Sequence, residues 1–197
     1  MVRTVYYASV SLDGFDAAGH NPAGFTSAEL LAAGLDPFAP HPDAGGTEVP
    51  AEAGAVVMGA RTYARLLQQV QEHGPAAWDC PPVPVWVYTH HEFPGIGGAD
   101  VMFVRGPVSE FAPDIADSAE GADVWLRGME LAGQYLQEDL LDELRLTLHP
   151  MLLGRGSALL GGALLPGPGA RHAQLLHAGP AADGSLRLHY GFARGRG

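Results

Sequence analysis

Two glycine junctions in the chain have the residue types that bind phosphate groups. Gly59 ends an apolar run and is followed by Arg61 and Thr62, and Gly128 ends a second apolar run. A strand that passes through glycine into a helix presents unpaired N–H groups and the positive end of the helix dipole. The alternative is an ordinary turn beside a surface arginine. The candidate phosphate ligands at the two junctions are Gly59, Arg61, Thr62, Gly128, Met129 and Glu130.

A third apolar run ends in Thr89, His90 and His91. Adjacent histidines can indicate a metal site, but consecutive strand residues point to opposite faces and cannot easily share one ion. The chain has no HExxH or CxxC spacing either, so we predict no metal. It also lacks the GxGxxG fingerprint. The three apolar runs that end at Gly59, Thr89 and Gly128 are predicted strands whose ends lie on one side of the sheet. Three strand ends placed in this way suit an extended dinucleotide.

The segment 122–156 contains the elements that would position Gly128. Val124 to Leu126 is long enough for one buried strand, and residues 129–136 show helical spacing. Leucines then alternate with polar residues over 144–148, which is the period of a strand. We therefore predict a strand, a tight turn, a helix and a second strand that is parallel to the first, with a right-handed crossover.

Patterns of the same kind predict the remaining elements. We expect strands at 2–12, 54–59, 84–89 and 101–104, helices that begin near Thr26, Ala60 and Pro107, and a C-terminal hairpin of strands about 174–178 and 185–192. Strands that alternate with helices before a hairpin predict an α/β domain of three layers with a mostly parallel sheet. We predict one domain over residues 1–197, with a variable loop at about 34–50.

Composition and charge limit the possible partners. With 47% hydrophobic and 17% charged residues the chain is expected to fold around a core. The formal net charge of −11 argues against nucleic acid or an anionic membrane, because both select basic surfaces. Cys80 is the single cysteine, which suits a reducing compartment. Without a signal peptide pattern or an apolar run of membrane-spanning length, we predict a cytoplasmic protein.

Four motifs resemble one family. They are SLDG at 11–14, MGARTY at 58–63, LDEL at 141–144 and HPMLLGRG at 149–156. With these motifs the chain resembles the dihydrofolate-reductase-like family, and within it the stand-alone relatives of the reductase domain of the bifunctional riboflavin-pathway deaminase-reductase. It departs from the family pattern at two positions. Arg127 replaces the first residue of a glycine pair whose peptide bond is often cis in the family, and Ala60 stands where the family usually has arginine.

The resemblance implies a dihydrofolate-reductase-like fold that binds NADPH as a homodimer. It places the cofactor phosphates at both glycine junctions, the adenosine 2′-phosphate near Thr89 and His90, and a substrate contact at Thr147. Arg105 follows a further strand and could reach the adenine end of the cofactor. The predicted cofactor residues are Gly59, Arg61, Thr62, Thr89, His90, Arg105, Arg127, Gly128, Met129 and Glu130.

The implied activity is transfer of a hydride from NADPH to a C=N or C=O bond of a small heterocycle, pterin- or pyrimidine-like. Asp13 and Glu29 are the catalytic candidates, since both occupy segments that face the substrate in the family. Asp13 could instead form its own turn, and Glu29 could cap a helix. Asp16 or an ordered water could also supply the proton. The alternative function is a non-catalytic, dimeric protein of the same fold that binds a nucleotide or has lost its cofactor.

Overall fold

Eight strands form a single sheet in the computed structural model, which describes residues 2–16, 52–162, 171–181 and 184–193. In chain order the strands are β1 (Thr4–Ser11), β2 (Ala55–Gly59), β3 (Val85–Tyr88), β4 (Val101–Val104), β5 (Val124–Arg127), β6 (Glu143–His149), β7 (Ala173–Pro180) and β8 (Leu186–Phe192). They lie side by side in the order β4-β3-β2-β5-β1-β6-β8-β7.

The first six strands of that order are parallel, and β8 runs in the opposite direction between β6 and β7. β1 pairs in parallel with both β5 and β6, β2 with β3 and β5, and β3 with β4. β8 is antiparallel to β6 and to β7, which confirms the predicted C-terminal hairpin. The segment 122–156 forms the predicted strand, turn, helix and parallel strand. Its two strands are not neighbours, however, because β1 lies between them.

Within the described residues, three α-helices cover the sheet. They are α1 (Ala60–His73), α2 (Val108–Ser118) and α3 (Met129–Gln137). One face of the sheet carries an apolar cluster that includes Tyr6, Val57 and Leu126 and packs against α2 and α3. The opposite face carries a second cluster, in which Val56 and Met58 pack against Tyr63 and Leu66 of α1. Helices on both faces give the predicted α/β architecture of three layers.

The α1 face of β1 and β6 is polar rather than apolar. Because side chains alternate along a strand, Tyr7, Ser9 and Ser11 share this face with Val5. Across the parallel pairing they meet Thr147 and His149 of β6. Ser9, Ser11, Thr147 and His149 are all buried. Buried polar groups need hydrogen-bond partners, so this face is built for something other than packing alone.

Some predicted features lie outside the described residues. They are the helix that begins near Thr26, the loop at about 34–50, Glu29 and most of the hairpin turn. Within the part of the chain that the structure describes, no helix combines the length and apolar character of a membrane span. The same part contains no group of three potential metal ligands.

Candidate functional site

The carboxyl ends of the six parallel strands meet at one edge of the sheet. We call the ends of β4, β3, β2 and β5 the glycine half, because Gly59 and Gly128 lie there. We call β1 and β6 the hydroxyl half, after the buried hydroxyl groups of their polar face. Open α/β sheets bind ligands at the carboxyl ends of their strands, so the two halves together form the candidate site.

Two helix N-termini lie next to each other in the glycine half, because β2 and β5 are paired neighbours. Gly59 is the N-cap of α1 and Gly128 the N-cap of α3, and neither helix has a side-chain cap. The first turn of α1 contains no acidic residue, so nothing in that turn opposes its positive dipole end. A Cβ added to Gly59 would meet no atom within 4 Å, which leaves open space beside this N-terminus.

Gly128 is conformationally required. Its φ of 109° lies in the region that residues with side chains avoid. A Cβ at this position would also lie only 3.1 Å from the Thr62 hydroxyl oxygen, so α1 contacts the α3 junction closely. The peptide bonds on both sides of Gly128 are trans, unlike the form that the family often shows before this helix.

An ion pair joins the first turns of α1 and α3. Nη1 of Arg61 lies 3.2 Å from Oε1 of Glu130, and both side chains are largely exposed. The structure therefore brings Arg61, Thr62, Gly128 and Glu130 together, as the sequence predicted for residues at one site. Exposed pairs of this kind contribute little to stability, about 0–1 kcal/mol, so Arg61 can exchange Glu130 for another anion at low cost.

Thr89, His90 and Arg105 also lie together, at the ends of the adjacent strands β3 and β4. The buried Thr89 hydroxyl accepts a hydrogen bond from the His91 N–H at 2.9 Å and donates to the His91 carbonyl at 3.0 Å. Nη2 of Arg105 donates to the His90 carbonyl oxygen at 2.8 Å. These bonds brace the strand ends. The His90 side chain is exposed at the edge of the glycine half.

Arg127 forms a buried ion pair. Its buried guanidinium donates to both carboxylate oxygens of Asp79, at 2.5 and 2.9 Å, and lies 3.4 Å from the Cys80 sulfur. Burial opposes its charge, but the hydrogen bonds and charge of Asp79 leave the Arg127 pKa raised. Burial also raises the pKa of the Cys80 thiol to about 11. Arg127 is thus held by a protein carboxylate, and its contact with a cofactor phosphate stays a prediction.

The hydroxyl half contains two hydrogen-bonded pairs. The Thr147 hydroxyl bonds the Tyr7 hydroxyl, and Ser9 Oγ lies 2.6 Å from Nε2 of His149. The sequence placed Thr147 on the polar side of its strand together with His149, but it did not predict that Tyr7 and Ser9 of β1 are their hydrogen-bond partners. The signal was present in the strand period of β1, which places Tyr7 and Ser9 on one face. Such groups can donate to and accept from the edge of a heterocycle.

Asp13 connects two loops through its carboxylate. Its Oδ1 accepts from the Ser11 hydroxyl at 2.6 Å and from the Leu153 N–H at 3.1 Å, and its Oδ2 accepts from the Gly154 N–H at 2.6 Å. The Ser11 hydrogen bond, followed by the backbone bonds, lowers the Asp13 pKa. A carboxylate bound in this way stays ionised at neutral pH, so the structure disfavours the predicted catalytic role of Asp13 as a proton donor.

Comparison with solved structures identifies the class of fold. A candidate riboflavin biosynthesis protein from Shewanella sp. PV-4 has a TM-score of 0.65 at 20% identity, with 98% of this chain and 100% of that chain covered. A pyrimidine reductase-like protein from Corynebacterium diphtheriae has a TM-score of 0.60 at 14% identity, with 98% and 92% covered. Dihydrofolate reductase from Enterococcus faecalis, complexed with NADP(H), has a TM-score of 0.52 at 11% identity, with 96% of each chain covered. The fold is that of dihydrofolate reductase.

Part of the chain also matches a model of a protein family. Residues 116–181 match the model described as the RibD C-terminal domain. The matched segment contains β5, α3 and β6, the part of the chain with the LDEL and HPMLLGRG motifs. The resemblance to the stand-alone reductase-like proteins of the riboflavin pathway is therefore confirmed. A comparison with curated proteins found no match.

Proposed function

We propose that the protein is an NADPH-dependent reductase that transfers a hydride to a C=N or C=O bond of a small heterocycle of the pyrimidine or pterin class. The observation that carries this proposal is the pair of uncapped helix N-termini at Gly59 and Gly128, held side by side in the glycine half. The match to the RibD C-terminal domain and the similarity to a pyrimidine reductase-like protein support it.

The residues of the glycine half fit a dinucleotide. The N–H groups of the first turns of α1 and α3 have no side-chain cap, and the space beside Gly59 is open to a phosphate. Arg61 adds a guanidinium, and Arg105 and His90 add polar groups along the same edge. NADPH would supply the hydride; the protein would bind its phosphates and align its nicotinamide.

The residues of the hydroxyl half would position the substrate. Tyr7, Ser9, Thr147 and His149 lie on one face of adjacent strands, next to the β5 end that leads to Gly128. Hydrogen bonds from these groups would fix the orientation of a polar ring beside the nicotinamide, which is how binding lowers the barrier to hydride transfer. Asp13 is unsuited to deliver the accompanying proton, and Glu29 stays a prediction because it lies outside the described residues.

Titration with NADPH and NADH tests the proposal. A ligand that binds the folded state raises the melting temperature by mass action, so NADPH at micromolar affinity should stabilise the protein visibly. We expect Arg61→Ala to weaken NADPH binding and Arg171→Ala to leave it unchanged. Arg171 is a matched control, because it too forms a surface ion pair, with Asp139, away from the strand ends. No stabilisation by either nucleotide at millimolar concentration would refute the reductase.

A protein that binds a nucleotide without catalysis, or that has lost its cofactor, is the second candidate. The observation that favours it is the Arg61–Glu130 pair, since Glu130 places an anion where a phosphate would bind and Ala60 offers no second cation. NADPH binding without oxidation in a screen of pterins and pyrimidines would support a binding protein. The homodimer and the cytoplasmic location also remain proposals. Light scattering of the purified protein tests the first, and cell fractionation the second.

A further inference from the structure

The C-terminal hairpin of β7 and β8 has one side that is apolar throughout. Side chains alternate along each strand, and the register pairs Leu175 with Tyr190 and Ala178 with Leu188 on one side of the sheet. This is the side of α2 and α3, because Leu188, Tyr190 and Phe192 pack against the same apolar cluster as those helices. We call this side of the two strands the hairpin face; its residues are Ala173, Leu175, Ala178, Pro180, Leu186, Leu188, Tyr190 and Phe192.

The described helices leave the hairpin face open. The strands that α2 and α3 contact most are β2 and β5, whereas β8 and β7 are the last two strands of the sheet. Leu175 and Leu186 of the hairpin face are 51% and 37% exposed. At the other end of the sheet, by contrast, Met102 and Val104 of the edge strand β4 pack against the apolar cluster. An exposed apolar strip that continues a core marks an interaction surface.

The outer edge of β7 is less suited to a partner than its face. The register shifts between Leu175 and His177, so Leu176 is an extra residue in a β-bulge. Leu176 lies on the opposite side from the hairpin face, because a Cβ on Gly191, the neighbour of Tyr190 in β8, would lie 3.2 Å from Leu176 Cδ1. A bulge of this kind disfavours the addition of another strand along an edge. A partner is therefore expected to pack on the hairpin face.

The chemistry of the hairpin face fits a second copy of the chain. None of its eight residues is charged, although the chain has a formal net charge of −11. Two copies of an acidic chain repel each other where their carboxylates meet, so a strip without carboxylates is a place where they can approach. A second copy presents the same strip, and two equal strips match each other about a two-fold axis. Apolar sheet faces pack in this way about 10 Å apart.

We propose that the hairpin faces of two copies pack together and form the interface of a homodimer. β7 has eight residues, so the hairpin face is roughly 26 Å long and 10 Å wide. That is well below the area of about 800 Å² that each partner contributes to a standard interface. We therefore expect a dimer that dissociates on dilution.

The proposed interface leaves the candidate site open. β8 pairs with β6, in which Leu146 and Leu148 lie on the side of the hairpin face and Thr147 on the other side. The second copy would cover the back of the hydroxyl half, while the polar face of β1 and β6 stays available to a ligand. The proposal does not depend on the reductase function, and a substitution in the hairpin face should leave NADPH binding unchanged.

Two adjacent leucines provide a matched pair of variants. Leu175 lies on the hairpin face and Leu176 on the opposite side, and they are 51% and 52% exposed. Light scattering of the full chain from about 1 µM to about 200 µM measures the dissociation constant of the dimer. We expect Leu175→Glu to raise this constant at least tenfold, because a two-fold interface contains the substitution twice. Leu176→Glu should leave it unchanged.

A milder pair of variants tests the surface without a new charge. The single cysteine of the chain, Cys80, is buried, so Leu175→Cys and Leu176→Cys each introduce one exposed thiol. We expect the thiol at position 175 to react with a maleimide at least tenfold more slowly when the protein is concentrated enough to dimerise. The thiol at position 176 should react at the same rate at every protein concentration. This measurement still decides the question if Leu175→Glu fails to fold.

Four results would overturn the proposal. The first is a wild type that stays monomeric up to about 200 µM. The second is a dimer that both glutamate variants leave intact, which would place the interface elsewhere, and the third is equal weakening by both variants. The fourth is slow reaction of the thiol at position 175 at every protein concentration, which would mean that the chain itself covers the hairpin face. NADPH titration of the same samples is a separate measurement, because absent NADPH binding refutes the reductase and leaves the dimer result unaffected.

Discussion

The two halves of the candidate site are built from different parts of the chain. The glycine half presents backbone N–H groups at Gly59 and Gly128, and its side chains are exposed or braced by one another. The hydroxyl half presents buried side chains, in the pairs Tyr7–Thr147 and Ser9–His149. A surface made of backbone groups depends less on the identity of its side chains, whereas a surface made of side chains changes its chemistry with each substitution.

The contrast between backbone groups and side chains is also seen at Arg127. It departs from the glycine that the family has there, and yet the junction at Gly128 keeps its helix cap because the Arg127 side chain is bound by Asp79 and Cys80. The departure is accommodated on the sheet face, away from the backbone groups of the α3 N-terminus. The helix N-terminus at Gly128 therefore forms without a glycine at position 127.

The largest expected loss of stability follows substitution of the Arg127–Asp79 pair. The loss should differ between the two partners. The Arg127 side chain is 5% exposed and that of Asp79 is 35% exposed. Asp79→Ala leaves a buried guanidinium without a partner and should lower the free energy of unfolding by about 3–5 kcal/mol. Arg127→Met leaves a carboxylate that water can reach, so its cost should be smaller. Urea denaturation of both variants and of the double variant measures the difference. Equal losses would mean that burial does not govern the pair.

Gly128→Ala tests whether the backbone of the glycine half is the binding surface. The substitution strains a φ of 109° and crowds Thr62, so stability should fall by about 1–3 kcal/mol and NADPH affinity at least tenfold. Gly121→Ala is the matched control, because Gly121 also has a positive φ, of 90°, and open space around its Cβ. It should lose stability and keep NADPH affinity, measured by nicotinamide fluorescence. Unchanged affinity in Gly128→Ala would move the cofactor away from this junction.

Thr147→Val tests the hydroxyl half with nearly the same side-chain volume. It removes the buried Thr147 hydroxyl, which is hydrogen-bonded to Tyr7, so the free energy of unfolding should fall by about 1–3 kcal/mol. NADPH affinity should stay the same, while kcat/KM for a reducible heterocycle should fall. Thr147→Ser keeps the hydroxyl and should restore most of the activity. A loss of NADPH binding in Thr147→Val would show that the two halves do not divide the ligands as proposed.

Asp13→Asn should have the smallest effect, and one that depends on pH. The folded-state pKa of Asp13 is lowered, so its stabilisation is present above the unfolded pKa and is lost as pH falls through the folded value. Wild type and variant should therefore differ in melting temperature at neutral pH and converge below about pH 4, the ordinary range of an aspartate. Turnover should persist in the variant. Complete loss of turnover with an intact fold would restore Asp13 as the proton donor.

The sequence predicted those parts of the site that depend on neighbours in the chain. A glycine between an apolar run and a helical pattern predicts a strand–turn–helix junction, and both junctions are present at Gly59 and Gly128. The alternation of leucines with polar residues over 144–148 predicted β6, and two short strand patterns near the C-terminus predicted the hairpin. These features were predictable because the period of side chains and the conformational freedom of glycine act over a few residues.

The tertiary structure alone decided which distant residues became partners. Arg127 finds Asp79, which lies 48 positions earlier, and Asp13 finds the N–H groups of Leu153 and Gly154, about 140 positions later. These contacts depend on the strand order, which places β5 beside β2 and β1 beside β6 and which no local pattern encodes. Charges and hydrogen-bonding groups act through space, so the sequence determines that a polar residue needs a partner. Only the folded chain determines which partner it obtains.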